Sequence, residues 1–379
     1  MGKNRKEFTV KRNRCKKIAA ALLCMVMGCT TLGQGFSAAA ADATTSEEEV
    51  EINFAKALQM SLYFYDANKC GSGITGGNLE WRGDCHTEDA AVPLKPMGKD
   101  YKGTNLSQKF IDAHRDILDP DGDGTIDVSG GMHDAGDHVK FCLPGSYAAS
   151  TLGWGYYEFR DAYVDSGQQW HVEDILHWFN DYYLKCTYFD ENGDILAFCY
   201  QVGEGDIDHN YWNAPELQNE SLLDFARPAY FATVETPASD MCAGVAASLA
   251  VNYLNFKDTE PEYAKRCLNT AVKMYEFAVK THSEAEDGKT VTSLGYDGGF
   301  YTSSYDYDEL AWAAVWLYEC TGEYDYINDI IAVDENTSGD MGAHPYTGYL
   351  KRIIADTGNC WQNIWVHCWD TVWGGVFAK

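Results

Sequence analysis

The sequence predicts an all-α domain. Nine segments place apolar residues at the three- and four-residue spacing of a helix, and few stretches alternate like a half-buried strand. The segments between them are dense in Gly, Asp, Asn and aromatic residues, the composition of loops that carry function on a helical scaffold. The first helix is expected over 54–68, where Phe54, Leu58, Leu62 and Tyr65 recur at helical spacing. Others are expected over 147–163, 171–186, 240–255, 261–281, 308–321, 324–331, 347–356 and from 370 to the end. Trp312 and Trp316, four apart on one helix, are expected in the core. The last helix meets Lys379 in mid-pattern, so the helical set reads as incomplete.

Residues 1–41 read as a secretory signal peptide. Eight basic residues up to Lys17 precede an apolar run over 18–27, and Ala38-Ala39-Ala40-Ala41 follows as the expected cleavage site. The run is well short of the roughly 18 residues that span a bilayer. Residues 42–52 form an acidic linker, and 53–379 the domain itself. Of the 29 Lys/Arg and 57 Asp/Glu, eight and one fall in the signal, leaving the exported chain near −35. Such a charge disfavours nucleic acid and anionic membranes as partners and suits a neutral or cationic substrate. The 11 Trp and 25 Tyr are a high share, which fits a heavy helical core for most of these rings or stacking platforms for the flat faces of sugars. Of the 13 cysteines three lie in the signal; others, such as Cys242 and Cys320, sit inside helical patterns as small apolar residues.

The most informative stretch is Gly130-Gly131-Met132-His133-Asp134-Ala135-Gly136-Asp137-His138-Val139-Lys140-Phe141. Asp134 and Asp137 are joined only by Ala and Gly on a segment too Gly-rich for a stable helix, an arrangement suited to activating a water. Close like charges would split the titration of the pair. Cys70, Cys85, His86 and His133 supply two thiolates and two imidazoles, the ligand set of a closed zinc site; a Cys70–Cys85 disulfide is the alternative. Asp119, Asp121, Asp123, Thr125 and Asp127, with Gly124 at the sixth position, match the first nine positions of a calcium loop. Gly130 stands where the loop's bidentate Glu belongs, so an Asp/Gly-rich turn fits the same residues.

The Asp134–Phe141 run resembles the catalytic-base signature of family 9 glycoside hydrolases, mostly cellulases. Further matches follow in order: residues 54–59 with Trp81-Arg82-Gly83-Asp84, residues 202–212, Ala226-Arg227-Pro228, Ala238-Ser239-Asp240, Phe300-Tyr301 and residues 308–312. The resemblance runs from about Phe54 to the end. It implies an (α/α)6 barrel of helical hairpins, here with nine of twelve helices, and hydrolysis of β-1,4-glucosidic bonds with inversion. It implies Asp137 as the base, with Asp134 holding the same water, and His209, Tyr211, Trp212, Tyr301 and Trp365 as cleft residues. It favours zinc at Cys70, Cys85, His86 and His133, bracing the base loop, and implies calcium at Ser304, Asp308, Glu309 and Asp370.

In this family the general acid is a Glu in an Asn-Glu pair shortly before Asp-Tyr, near the end of the domain. The only Asn-Glu here is Asn219-Glu220, in a different context. The acid is therefore expected beyond Lys379, and this chain is not expected to turn over cellulose at a normal rate. The expected partner is cellulose or another β-1,4-glucan, the expected location is extracellular, and an appended binding or docking module is compatible. A non-catalytic glycan-binding protein and another six-hairpin glycosidase or lyase are the rival readings.

Overall fold

The computed structural model describes residues 52–218, 226–282, 300–301, 303, 305–332, 344, 346–356 and 365–379. Six of its helices run to fifteen residues or more: α1 (Phe54–Asn68), α2 (Cys142–Glu158), α3 (Gln169–Lys185), α4 (Ser239–Phe256), α5 (Pro261–Thr281) and α6 (Tyr307–Thr321). Shorter helices Asp325–Ile331, Tyr349–Asp356 and Trp373–Ala378 complete the expected nine, each within a few residues of its expected bounds. The expected 147–163 segment is two helices: α2 starts earlier and ends at Glu158, and after Phe159 the chain restarts as Arg160–Asp165. Pro144 is tolerated because it sits in the first turn of α2, where no intrahelical donor is lost.

The ends follow local chemistry. Asn53 caps α1 by accepting from the Lys56 amide at 2.8 Å. Pro261 opens α5 with its φ already helical. Gly322, at φ 73°, closes α6.

Helix α4 is the hub, buried at every residue from Ser239 to Phe256 except Tyr253. It packs on α2, α5 and α6. Its small residues allow this closeness: a Cβ on Gly244 would lie 2.3 Å from Ser146 Oγ of α2. Trp312 and Trp316 are buried in α6, as expected. Cys242 is fully buried and Cys320 partly so.

A small sheet joins the helices. Strands β1 (Val92–Pro93) and β2 (Thr125–Ile126) pair antiparallel. A second sheet runs β3 (Lys140–Phe141), β5 (Ile195–Val202) and β4 (Thr187–Phe189), with β6 (Ala229–Ala232) also on β5. Strand β5 was not expected, because its almost unbroken apolar run carries no alternation and is buried on both faces. Its placement matters for the site. Lys140 of β3 lies opposite Val202 of β5, so the loop ending at Lys140 and the loop starting after Val202 leave the sheet side by side.

Candidate active site

The base loop is held at both ends by backbone. On its N-terminal side the Cys70 amide donates to Gly131 O at 2.9 Å and the His133 amide to Asn68 O at 2.7 Å, tying the loop to the end of α1. Gly130 and Gly131 are required there: both have φ near +80 to +90°, and a Cβ on Gly131 would strike the Tyr182 ring at 2.8 Å. On the C-terminal side, the Asp134 amide donates to Val139 O at 3.0 Å and the His138 amide to Asp208 Oδ1 at 2.7 Å.

Beneath the loop lies a charge network that sequence reasoning missed. Asp89, fully buried, takes Arg227 through Nε at 2.8 Å and Nη2 at 3.1 Å, and Lys140 Nζ at 2.9 Å. Both cations also donate to the loop's backbone, Lys140 to Val128 O and Gly130 O and Arg227 to His138 O. Burial alone would raise the Asp89 carboxyl, but Arg227 and Lys140 outweigh it and hold it well below the usual range. The advance signals were Lys140 in the base-loop run and Arg227 in the Ala226-Arg227-Pro228 match.

Asp137 is 1% exposed, and its Oδ2 meets no protein donor. Burial and then the Asp134 charge push its carboxyl up to about 6. Asp134 is partly exposed and also raised, by burial, against the opposing effects of Tyr301 and His209. The Tyr301 hydroxyl donates to Asp134 Oδ2 at 2.5 Å. The pair is thus divided into a buried carboxylate with a free acceptor oxygen and a partly exposed one whose orientation is fixed. A base with a pKa near neutrality can take a proton from water and still be largely ionised at pH 7.

Aromatic rings surround the pair. The His209 Nδ1–H donates to Gly205 O at 2.9 Å, and its ring stacks on Phe300 at 4.1 Å. Trp212 is 67% exposed, anchored by Nε1–H to His209 O at 2.7 Å, and lies over Gly136, where a Cβ would sit 2.5 Å from its ring. Tyr301 meets Trp369 edge-on at 5.0 Å. Trp369 also lines an apolar cavity of about 240 Å³ beside Asp134, with Met132, Phe141, Pro144 and Tyr147. Trp369 had escaped sequence reasoning. Tyr211 is placed differently from the expectation: its ring is buried against His138 and its hydroxyl donates to Ala214 O, because the turn after His209 points alternate rings in and out. It supports the wall rather than offering a face. Trp365 is 71% exposed and rests on Phe377, with no contact to the carboxylate pair.

Cys70, Cys85, His86 and His133 converge, each with a ligand atom within 4.8 Å of the others, and both cysteines are free thiols rather than a disulfide. Tetrahedral zinc requires N···N of roughly 3.3 Å and S···N of roughly 3.6 Å. The His86 Nδ1 to His133 Nε2 distance is 3.1 Å and Cys70 Sγ to His86 Nδ1 is 4.0 Å, so the set fits. Gln218, another residue the sequence did not reveal, accepts from His86 Nε2 at 2.9 Å, which turns the Nδ1 lone pair toward the cluster. Burial and then the neighbouring His86 hold His133 well below its ordinary value, in the neutral form that ligates.

Asp308 and Glu309 are buried side by side at the start of α6, and Asp308 Oδ1 and both Glu309 oxygens lack a protein donor. Burial lifts Asp308 to about 6, and burial followed by the Asp308 charge lifts Glu309 well above the carboxylate range. The Val372 amide donates to Asp308 Oδ2 at 2.9 Å, bringing the exposed Asp370 segment alongside. The donors fit a calcium ion. Ser304 lies outside the described residues, as does Asn219-Glu220. In the 119–127 loop, Asp119, Asp121 and Asp123 come together, but Asp127 does not join them, because Lys185 Nζ and the Ser129 amide and hydroxyl draw its carboxylate away. The Thr125 amide and hydroxyl both donate to Asp123 Oδ1, at 2.8 and 2.6 Å.

A helical-hairpin domain with a braced carboxylate pair among exposed aromatic faces defines the class of helical-barrel glycosidases. The chain belongs to glycosyl hydrolase family 9, whose family model matches residues 54–379. It is 45% identical to the catalytic domain of Clostridium thermocellum CelT, with a TM-score of 0.70, covering 86% of this chain and 58% of that one. The cellulase Cel9M of C. cellulolyticum is 32% identical, with a TM-score of 0.61 over 86% of this chain and 60% of its own. Endoglucanase 4 of Bacillus sp. (strain KSM-522) is 33% identical over 287 residues, 75% of this chain. The solved relatives are (α/α)6 barrels, which gives the helical pairs their architecture. The chain spans 38% of that curated relative's length.

Proposed function

We propose that this chain binds a β-1,4-linked glucan across the Trp212 and His209 face and activates a water for hydrolysis with inversion at the anomeric carbon. Asp137 takes the water's proton, and Asp134, fixed by Tyr301, orients the water. An inverting reaction also needs a carboxylic acid on the other side of the sugar to protonate the leaving oxygen. The observation that carries the reading is the buried Asp137 with an unpartnered Oδ2 and a carboxyl near 6. Zinc at Cys70, Cys85, His86 and His133 would brace the loop, and calcium at Asp308 and Glu309, with Ser304 and Asp370, would fix the start of α6. Neither metal has a step in the reaction. Export by the leader at 1–41 fits a polymeric substrate, and no described helix is long and apolar enough to cross a membrane. CelQ, a structural relative, was crystallised with cellobiose and cellotriose, which supports the substrate class.

Dinitrophenyl β-cellotrioside tests the reading, because its leaving group departs without protonation and the reaction then depends on the base side alone. Proton NMR should show the α-anomer of cellotriose first. Initial β-anomer, or no binding of cellotetraose by calorimetry, would overturn the proposal.

A further inference from the structure

A second pocket, of about 180 Å³, is walled by Trp170 and Trp178 and edged by Asp66, Lys69, Asn78 and Asp174; it shares no lining residue with the cavity beside Asp134. Trp170 is 56% exposed, and one face of its indole is already braced, stacked on His171 at 5.1 Å and 16°. His171 is fixed in turn, donating from Nε2 to Asp66 Oδ2 at 2.6 Å. An indole held from one side and open elsewhere is a stacking platform. The polar groups are equally fixed. Lys69 Nζ lies 4.8 Å over the Trp178 ring and 3.0 Å from Asp66 Oδ1, and it donates to Asp174 Oδ2. Asn78 Nδ2 donates to Asp66 Oδ2 at 3.0 Å. These bonds use one oxygen of Asp174 and the nitrogen of Asn78, so Asp174 Oδ1 and Asn78 Oδ1, both on exposed side chains, stand as acceptors. A pyranose is the complement of this surface, with a flat C–H face for the indole and hydroxyl donors on neighbouring carbons for the two acceptors.

We propose that Trp170, Asn78 and Asp174 form an outer saccharide site that takes one glucose ring of the polymer on which the cleft acts. The inference rests on the β-glucan reading above. The pocket is well below the roughly 300 Å³ of a small-molecule site, so it admits one ring rather than a run of them. Its side chains are locked before a ligand arrives, so little rotamer freedom is lost on binding. Trp178 Nε1 donates to Gly131 O at 2.8 Å, which sets the pocket against the loop that carries Asp134. A chain tethered there raises its own concentration at the cleft without adding any contact to the reacting ring.

Fluorine NMR of the intact chain carrying 5-fluorotryptophan tests this with cellobiose as the probe, in the native protein and in Trp212→Ala. The Trp170 resonance, identified by its loss in Trp170→Phe, should shift saturably at low-millimolar cellobiose, and equally in Trp212→Ala. In a gel containing hydroxyethylcellulose, Trp170→Ala, at an exposed ring, should be retained about fivefold less than the native chain, while cellotetraose binds its cleft as before. A Trp170 resonance that stays fixed while that of Trp212 moves overturns the outer site and leaves the cleft reading intact. If neither resonance moves, the glucan reading fails and the outer site with it. Unchanged retention of Trp170→Ala overturns the outer site equally.

Discussion

Replacing Asp89 with Asn removes the charge that Arg227 and Lys140 share beneath the base loop. The carboxylate is fully buried and makes three ion-pair contacts, at 2.8, 3.1 and 2.9 Å. An amide of the same shape keeps one acceptor but turns an NH2 toward a cation, leaving Lys140 facing a neutral group and Arg227 with Asp208 at 3.5 Å as its remaining carboxylate. Removing one partner from a buried pair costs about 3–5 kcal/mol, far more than an exposed bridge is worth. For a domain of this size that corresponds to a fall in Tm of about 4–7 °C. Urea unfolding should show the loss at every pH above about 4, where an unfolded Asp is ionised. Because the native carboxyl is held below its usual range, the contribution declines only as the pH falls toward that depressed value. Arg227→Met in the Asp89→Asn background should cost less than in the native chain, since the orphaned charge has already been created. A loss under about 1 kcal/mol for Asp89→Asn, or strict additivity with Arg227→Met, would refute the argument that this network carries the loop.

Trp212→Ala should weaken cellotetraose binding by about 5- to 30-fold in calorimetry, the range of a stacked anchor, while Tyr211→Phe, at a buried ring, should leave it unchanged. Zinc should be found by elemental analysis at about one equivalent per chain, lost in Cys70→Ser together with a fall in Tm. The rate on dinitrophenyl β-cellotrioside should rise with pH through an acid limb near 6, since Asp137 acts only when deprotonated and its carboxyl is pushed up to about 6. A limb below about 4, the value of an ordinary Asp, would mean that Asp137 is not the titrating base.

The helices were legible because each carries an apolar face at helical spacing, and α1 and α5 fall on their expected bounds. Strand β5 was not, since a short continuous apolar run reads alike as buried strand or buried helix. The carboxylate pair was legible as a motif because its two residues stand three apart, and the Cys and His residues that converge were picked out as one set although they are spread over 70–133. The network beneath them was not: Asp89 and Arg227 are 138 residues apart, and Gln218 reaches His86 across 132. Nothing local in the sequence marks such partners; the pairing of β3 and β6 with β5 brings only Arg227 and Lys140 near each other, and Asp89 and Gln218 reach the site from turns elsewhere in the chain. Tyr211 and Asp127 show the converse. Their spacing fits a role, but the backbone turns one ring inward and Lys185 claims the other side chain.

The central claim is that Asp137 is the water-activating base, and Asp137→Asn measures it on dinitrophenyl β-cellotrioside, where no acid is required. The rate should fall by about 10²–10⁴-fold, or roughly 3–5 kcal/mol in the barrier, while cellotetraose binds as tightly as before. A fall of less than about tenfold, beneath the range of a lost general base, with binding intact, would contradict the account and move the base elsewhere in the chain.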